Sequence, residues 1–437
     1  MLEPRREGLL RLLLDAQHLG LAPDNIAELV LKSLYTGEAS GTDVAGCVHL
    51  PYALLEGVIE HARVERLVEV RGAGGTGSAA YRYGLTDLGR DRARQLLDAC
   101  AYVGPAPVPL AQYLSYMARV SGTSVPIDHE RVAAGLHPLV LSSEIVDQLG
   151  PAITARRALF LYGAPGNGKS AMGAGIGRVL GGDLYIPHAL DINGQTVQFF
   201  DPVTHTAVRG EEESALIRSA DSTDQRWIRV QCPVITVGGE LTLDMLDLTF
   251  NPTSSFYEAP VQLKANGGVL IMDDFGRQRV PARDLLNRWI VPLEAQIDFL
   301  TLHTGRKFEI PFDVLIVFAT NLDPRSLADE AFLRRIPYKV LAQNPTYEQF
   351  CQIFSQVCRG HGLGFDPAMV DYLREEYYVP RGIEMRGCHP RCLINQVVTL
   401  CRYHKREPVV TTELLDAVCG TYFVAETAGD DSVAVAS

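Results

Sequence analysis

The feature that most constrains this 437-residue chain is a glycine-rich loop, Gly163-Ala-Pro-Gly-Asn-Gly-Lys-Ser170, which fits the pattern G-x-x-x-x-G-K-[ST]. The apolar run Leu159–Tyr162 precedes the loop, and a helix-permissive stretch begins at Ser170. Glycines at these positions let backbone N–H groups turn inward around a phosphate group. Because strand, loop, lysine and serine are all in register, the sequence predicts a nucleotide-binding site.

Each polar side chain of this loop has an expected role. The ammonium of Lys169 should neutralise the β- and γ-phosphate oxygens of ATP, and the hydroxyl of Ser170 should ligate Mg²⁺. The candidate nucleotide-binding residues here are Gly163, Ala164, Pro165, Gly166, Asn167, Gly168, Lys169, Ser170 and Ala171.

Two adjacent carboxylates follow a strongly apolar run later in the chain. The run Gly267-Gly-Val-Leu-Ile-Met is followed directly by Asp273 and Asp274. Desolvated carboxylates must be paired or bound to metal, so two acids at the end of a buried strand indicate a site. We assign Asp273 to the magnesium shell and Asp274 to polarising the attacking water.

The pattern of secondary structure predicts an α/β fold. Alternating strand and helix patterns run from residue 158 to about residue 338, which indicates a parallel sheet with crossover helices. We therefore expect a P-loop core with a parallel sheet over residues 135–343 and a C-terminal helical lid over residues 344–425. The small and acidic residues 426–437 predict a disordered tail. The lid helices are predicted at 347–358, 367–378, 391–403 and 412–424.

Residues 1–102 predict a separate N-terminal domain. An amphipathic helix is expected over residues 1–20, and the stripe of Ile26, Leu29, Val30 and Leu34 indicates a second helix. A further helix opens at Pro51, two strands flank a glycine-rich turn at 71–78, and Thr86 caps a last helix. This order resembles a winged helix-turn-helix. The proline-rich run 104–109 predicts a stiff linker, which we extend over residues 103–134.

Two more motifs complete a pattern that resembles the AAA+ ATPases. A strand over residues 314–321 ends in Asn321, and a helix end over residues 331–336 carries Arg334 and Arg335. The resemblance implies that Asn321 orients the water near the γ-phosphate. It also implies that one of the two arginines, with Arg335 favoured, reaches the γ-phosphate of a neighbouring subunit. By themselves these motifs also fit an ordinary strand-end asparagine and a solvated arginine pair.

The lid motif Gly387-Cys-His-Pro-Arg391 resembles the sensor 2 motif of AAA+ proteins. The resemblance implies that Arg391 contacts the nucleotide from the lid, and a nearby anion would explain a cation at a helix start. Asp274 departs from the AAA+ pattern, in which the second acid is usually Glu. Its side chain is shorter by one methylene, about 1.5 Å of bond length, which favours nucleotide binding over fast turnover.

A predicted hairpin narrows the resemblance to the presensor-1 β-hairpin group, and within it to the MoxR-like proteins. Residues 299–303 and 307–310 read as two strands around a Gly turn, directly before the strand of Asn321. The runs 264–274 and 284–294 resemble the MoxR-like and sigma-54 pattern, and the likeness covers roughly residues 135–425. It implies a hexameric ring that hydrolyses Mg·ATP to remodel a protein client. Candidate client contacts are Arg306 and Lys307 at the hairpin tip and an insert from about residue 185 to 260, which could also be surface decoration.

Bulk composition limits the partners. The net charge of −12 argues against a generic polyanion binder, although a local basic site stays open. No apolar run approaches the roughly 18 residues of a membrane-spanning helix, so we expect no membrane insertion and a cytoplasmic location.

The nine cysteines are expected to be reduced. Those near His389, namely Cys388, Cys392 and Cys401, match no common zinc-finger spacing and are interpreted as helix packing.

Two other functions stay open at this point. The winged helix would allow an ATP-dependent DNA-binding or transcription-related regulator, but the candidate recognition helix 51–64 carries Glu56 and Glu60 with Arg63 as its one certain cation. The sigma-54 contact motif Gly-Ala-Phe-Thr-Gly-Ala is absent from the sequence. The third reading is an ATP-binding assembly switch with little turnover, which the short Asp274 side chain keeps open.

Overall fold

The computed structural model describes residues 20–121, 126–208 and 224–423. The helix predicted for residues 1–20 lies outside these ranges except for Gly20, and the tail predicted for residues 426–437 lies wholly outside them. Within the described ranges, no helix is both long enough and apolar enough to cross a membrane.

Residues 23–99 form four helices around a three-stranded antiparallel sheet. In chain order the elements are α1 (Pro23–Ser33), β1 (Ala39–Ser40), α2 (Gly41–Val48), α3 (Tyr52–Val64), β2 (Val68–Ala73), β3 (Tyr81–Leu85) and α4 (Asp87–Ala99). Strand β3 lies between β1 and β2 and pairs antiparallel with both. The predicted stripe is buried because its spacing places these side chains on one face of α1 and of the 3₁₀ turn that follows it: Ile26, Leu29, Val30 and Leu34. Thr86 caps α4 by accepting a hydrogen bond from the Gly89 N–H at 3.0 Å.

The described parts of the segment expected to be a stiff linker, residues 103–121 and 126–134, are folded against the rest of the chain. It contains β4 (Val108–Pro109), α5 (Leu110–Val120) and α6 (His129–Leu136). Strand β4 pairs in parallel with Leu190 and Asp191. The α5 side chains of Tyr113, Tyr116 and Met117 are buried, since i, i+3 and i+4 positions share a helix face. The proline-rich run ends where this amphipathic helix begins. Because prolines are typical of linkers, the sequence did not indicate that a packed helix follows them.

The region from residue 143 to residue 341 holds most of the strands. Its helices are α7 (Ser143–Thr154), α8 (Lys169–Leu180), α9 (Val261–Lys264), α10 (Ala282–Arg288), α11 (Ile290–Ala295), α12 (Pro324–Leu327) and α13 (Glu330–Leu333). Its strands are β5 (Leu159–Tyr162), β6 (Asp183–Pro187), β7 (Ala189–Ile192), β8 (Gln195–Gln198), β9 (Trp227–Gln231), β10 (Val234–Val237), β11 (Thr249–Asn251), β12 (Phe256–Glu258), β13 (Val269–Met272), β14 (Ile297–Thr301), β15 (Lys307–Pro311), β16 (Leu315–Thr320) and β17 (Tyr338–Leu341).

Five of these strands form the predicted parallel sheet, in the order β10-β13-β16-β5-β17. Every residue of β13 and β16 is buried, as expected for strands covered on both faces. Along β5, Leu159 and Leu161 pack with α8, whereas Phe160 packs on the opposite face with Phe318 and Trp289. This arrangement confirms the predicted α/β class.

A second five-stranded sheet, of mixed direction, has the order β11-β12-β8-β7-β4, and β6 pairs antiparallel with β9. Except for β4, these strands lie within or at the start of the insert predicted between about residues 185 and 260. One strand in that range belongs elsewhere: β10 was expected within the insert but pairs in parallel with β13 at the edge of the central sheet. A strand of only four residues does not reveal which sheet it joins, because its pairing depends on partners that are distant in sequence.

The predicted hairpin is formed by β14 and β15, which pair antiparallel from Ile297 with Pro311 to Thr301 with Lys307. The C-terminal region is helical, as predicted. Its helices are α14 (Tyr347–Gly360), α15 (Pro367–Leu373), continued by a π-helical turn (Arg374–Tyr378), α16 (Val379–Arg381), α17 (His389–Tyr403) and α18 (Thr412–Tyr422). The limits proposed for the domains remain predictions.

Candidate functional site

The glycine-rich loop joins the carboxyl end of β5 to the amino end of α8. Gly166 and Gly168 have φ values of 87° and 76°, a region that glycine enters without the steric cost other residues meet. Gly168 is the N-cap of α8, so the backbone N–H groups that begin this helix face the loop. A loop of this shape at a helix start can bind an anion.

Lys169 folds back over the loop that precedes it. Its ammonium donates to the carbonyl oxygens of Gly163 and Ala164, both at 2.9 Å, and to Oδ1 of Asn321 at 2.6 Å. The side chain is 7% exposed. Burial lowers the pKa of Lys169, and the nearby charges of Asp273 and Asp274 oppose that shift. The lysine is therefore held as a desolvated cation beside two carboxylates.

Ser170 and Asp273 meet on the other side of the loop. The Ser170 hydroxyl donates to Oδ2 of Asp273 at 2.7 Å, although the residues are far apart in sequence. Strand β13 brings Asp273 there because it ends at the same edge of the parallel sheet as β5. A hydroxyl and a carboxylate at this distance are the hard oxygen donors that Mg²⁺ accepts beside nucleotide phosphates.

Asp274 and Asn321 form the third contact of the site. The amide of Asn321 donates to Oδ1 of Asp274 at 3.1 Å, while its carbonyl oxygen accepts from Lys169. Asp274 has a φ of 49°, a left-handed conformation that Asp and Asn tolerate better than most residues. The turn that contains Asp274 is held against β16 by a hydrogen bond, in which the Phe275 N–H donates to the Ala319 carbonyl at 2.8 Å. Asp274 follows β13, Asn321 follows β16 and Lys169 follows β5. These three residues lie close together because β16 is the neighbour of both β13 and β5 in the sheet.

The helical lid touches the loop directly. Asn167 donates to the Ala342 carbonyl and to Oδ1 of Asn344, and its own Oδ1 accepts from the Gly387 N–H at 3.3 Å. Asn344 in turn donates to Oε2 of Glu384 at 2.7 Å. A side chain on Gly166 would collide with the lid, since its Cβ would lie 2.4 Å from Sγ of Cys388.

Arg391 lies in the first turn of α17, as predicted, and its side chain is exposed. It makes no hydrogen bond or ion pair with any residue that the structure describes. The lid residues that lie against the loop are instead those just before the helix, Arg386 to Cys388.

Arg334 and Arg335 lie at the opposite end of the sheet from the glycine-rich loop. They lie a few residues before β17, whose Tyr338 pairs with Leu159 at the start of β5, whereas the loop follows β5. Nε of Arg335 donates to Oε1 of Glu294 at 2.6 Å, and Arg334 is exposed. Together they line a surface groove with Arg157, Leu293, Glu294 and Pro337.

The remaining candidate residues are distributed away from the site. Arg306 and Lys307 are exposed at the tip of the hairpin. Among the residues described, no group of three or more His, Cys, Asp or Glu side chains is placed to hold a metal ion. His389 is buried, and its Nδ1 contacts the Tyr378 hydroxyl at 3.0 Å, in keeping with a packing role for this cluster.

Sequence reasoning missed the polar bridge between loop and lid. Asn344 and Glu384 carry no motif, and the helices predicted between them do not indicate that two residues 40 positions apart form a hydrogen bond. Arg386 lies one residue before the Gly387 motif and was not singled out. The structure places its Cβ 3.8 Å from a Cβ built on Gly166.

Comparison with known proteins gives one family match and several distant structural similarities. The profile of a family described as "Domain of unknown function (DUF8689)" matches residues 346–421, which is the helical lid. No curated protein matches the chain.

Two of the similar solved structures are bacterial. The RuvB Holliday junction branch migration motor of Thermotoga maritima is 14% identical, with a TM-score of 0.37 over 69% of this chain and 72% of that chain. NtrX from Brucella abortus in complex with ADP is 16% identical, with a TM-score of 0.39 over 69% of this chain and 59% of that chain. These similarities are too distant to indicate what this chain binds or does. The chain's own contacts define an α/β protein with a P-loop at the carboxyl edge of its parallel sheet.

Proposed function

We propose that this chain is an ATPase of the AAA+ type, which binds Mg·ATP at the P-loop and uses its hydrolysis in a ring to remodel a protein partner. The observation that carries this proposal is the continuous set of contacts among Lys169, Asn321 and Asp274, beside the pair of Ser170 and Asp273. Three different strands contribute to this cluster, and all end at the edge where the P-loop lies. Such a convergence of cation, amide and carboxylates suits phosphoryl transfer to water.

Each residue of the cluster has a role in this proposal. Lys169 binds the β- and γ-phosphate oxygens and neutralises charge as the terminal phosphate departs. Asp274 accepts a hydrogen bond from the attacking water and directs its lone pair at phosphorus. Asn321 donates to Asp274 and keeps that carboxylate in position. The Asp274 side chain is short, but its left-handed backbone carries it to the Asn321 amide.

Ser170 and Asp273 are the residues that would hold Mg²⁺. Their oxygen atoms are already within hydrogen-bond distance of each other, and both are donor types that this ion prefers. When bound, the ion supplies positive charge to the phosphate oxygens.

The position of the two arginines supports assembly into a ring. A strand of four residues spans about 13 Å, so Arg334 and Arg335 lie at least that far from their own P-loop. An arginine that acts on phosphate must therefore serve the P-loop of a neighbouring subunit. The partly exposed ion pair of Arg335 with Glu294 can be exchanged for such a contact, because surface pairs contribute only about 0–1 kcal/mol.

A protein partner is favoured over DNA by the charges of the N-terminal unit. Three cations of the candidate recognition helix and hairpin are each paired with a carboxylate: Arg63 with Glu60, Arg71 with Glu69, and Arg82 with Glu38, whereas Arg66, between helix and hairpin, is exposed. DNA binding depends on cations available to phosphates, and these are compensated on the surface. We therefore infer that this winged-helix-like unit docks protein.

The proposal is tested by measuring ATP turnover and oligomeric mass on one sample, with and without Mg·ATP. The wild type is compared with Asp274→Asn. Turnover that the substitution abolishes, together with a nucleotide-dependent ring, supports the motor. A ring that forms with ATP but shows the same turnover in both proteins would replace the motor by an assembly switch.

A further inference from the structure

We propose that His49 and His188 form a pH-sensitive contact, which holds the N-terminal unit (residues 23–106) against the insert and releases it on acidification. The two histidines are far apart in the chain, and no sequence motif singles them out. The inference concerns how two parts of the chain are held together, and it does not depend on ATP hydrolysis.

The N-terminal unit packs directly on the insert. Ala189 of β7 is fully buried in the hydrophobic core of the N-terminal unit. Phe256 of β12 packs against Tyr102, with the ring centroids 5.8 Å apart, and the Ala101 N–H donates to the Ser254 carbonyl at 2.8 Å. These contacts are apolar or made by the backbone, so a charge that appears at this boundary is unfavourable unless it is paired.

Two half-buried histidine rings meet at this boundary. His49 is the C-cap of α2, and its ring centroid lies 4.9 Å from that of His188 in an edge-to-face arrangement. Nδ1 of His49 donates to the Gln225 carbonyl of the insert at 2.7 Å. His188 is fixed on the insert side, because its N–H donates to the Arg226 carbonyl at 3.0 Å and Phe200 packs edge-on against its ring at 5.4 Å. The docked arrangement therefore holds the two rings in contact.

The surroundings of the pair suit neutral rings. On the N-terminal side, the segments 45–52 and 100–106 contain no Asp, Glu, Lys or Arg. The ring of His188 forms no hydrogen bond with another residue that the structure describes. His205, which stacks on the neighbouring Phe200, has its Nε2 bound to the Lys264 carbonyl. The carboxylates described on the surrounding insert segments are bound elsewhere: Asp224 to Arg226 at 2.7 Å, Asp201 to Lys264 at 2.8 Å, and Asp191 to the Gly194 N–H at 2.8 Å.

This environment disfavours the protonated form of His188. Burial first, and then the positive charge of His49, lower the pKa of His188 to about 4. In a released N-terminal unit the ring is in water, where a histidine has a pKa of about 6.5. Between these two values the released form binds a proton that the docked form does not. Docking is therefore fully favoured above about pH 6.5 and weakens as the pH falls, by roughly twentyfold between neutral pH and pH 5.

The test measures amide hydrogen exchange of the full chain at pH 7.5 and pH 5, with the rates corrected for the intrinsic effect of pH on exchange. Peptides that contain Ala101 report docking, because the Ala101 N–H is bound across the boundary. Peptides from the buried strands β13 and β16 report global unfolding. In the wild type, we expect the protection of the Ala101 amide to fall roughly twentyfold at pH 5, while the central sheet stays protected.

Substitutions of His188 identify the group that titrates. His188→Phe keeps an aromatic ring but cannot be protonated, so its Ala101 amide should be equally protected at both pH values. His188→Asn is the second variant; it is neutral at both pH values, so the ratio of its two protections should be near one even if docking is weaker throughout. The matched control is His61→Phe, since His61 is an exposed histidine of the same unit that pairs with Glu65, and this variant should respond to pH as the wild type does.

Two results would overturn the inference. If the Ala101 amide loses as much protection at pH 5 in His188→Phe and His188→Asn as in the wild type, another group controls docking. If the central sheet loses protection together with the Ala101 amide, acid unfolds the whole chain and does not release the N-terminal unit.

Discussion

At the scale of single residues, Lys169 concentrates the chemistry of the site. It is a nearly buried cation that makes three hydrogen bonds and lies near two carboxylates. Burial alone would favour the neutral amine, so the surrounding oxygens and carboxylates have to hold the proton. The same positive charge is what a bound triphosphate requires.

Substitution of Lys169 by Met should therefore weaken nucleotide binding. We expect a loss of about tenfold to a hundredfold in ATP affinity, the range for a charge-assisted hydrogen bond. Isothermal titration with Mg·ATP measures it, and the distant exposed lysine Lys405 supplies the control Lys405→Met. Unchanged affinity in Lys169→Met would refute the P-loop assignment.

The backbone of Asp274 makes a separate prediction about stability. Its left-handed φ of 49° is tolerated by Asn but costs other residues with a Cβ roughly 1–2 kcal/mol. In urea titrations, the free energy of unfolding of Asp274→Ala should therefore be about 1 kcal/mol lower than that of Asp274→Asn. Both variants should lose ATP turnover. Equal stabilities of the two variants would show that this backbone conformation carries no strain.

At the scale of elements, the lid depends on a neutral histidine. His389 begins α17, is 5% exposed, and its Nδ1 accepts a hydrogen bond from the Arg386 N–H at 3.3 Å. Burial first, and then the positive charge of Arg386, lower the pKa of His389 to about 4. The imidazole therefore stays uncharged in the folded lid.

Acidification should lower the stability of the folded lid. An unfolded histidine has a pKa of about 6.5, so between that value and about 4 the unfolded chain binds a proton that the folded lid does not. Stability is then fully present above about pH 6.5 and falls as the pH drops through this window. Urea unfolding at several pH values gives the free energy of unfolding as a function of pH. This free energy should depend less on pH in His389→Phe than in the wild type, even if the two proteins differ in stability at neutral pH. Parallel profiles would show that His389 titrates normally.

At the scale of the whole molecule, the separation of the arginines from the P-loop predicts shared sites. In the proposed ring, an Asp274→Asn subunit still offers Arg335 to its neighbour, and an Arg335→Ala subunit still offers an intact Asp274. Mixtures of the two inactive variants should therefore regain part of the wild-type turnover, because some boundaries combine both intact groups.

Steady-state ATPase rates across mixing ratios measure this recovery, and each variant mixed with itself is the control. Absence of recovery at every ratio, in rings that exchange subunits, would exclude Arg335 as the contributor in trans. The same series with Arg334→Ala then decides whether the exposed neighbouring arginine serves instead.

The sequence by itself determined the local parts of this protein. The P-loop, the buried strand before Asp273, the strand before Asn321 and the hairpin were predicted because each depends on residues adjacent in the chain. Glycine freedom, alternation of apolar residues and turn chemistry act over a few positions. The α/β class followed from the same patterns, since alternating strands and helices permit few arrangements.

Only the tertiary structure decided which of these parts meet. The order β10-β13-β16-β5-β17 brings Asp274, Asn321 and Lys169 together. It also includes β10, which the sequence had placed in the insert. Packing of Tyr113, Tyr116 and Met117 turned an expected linker into a core helix. Packing of the lid placed Cys388 and Arg386 against Gly166 of the P-loop. These outcomes depend on burial and pairing between residues far apart in sequence, and such contacts leave no periodic trace in the chain.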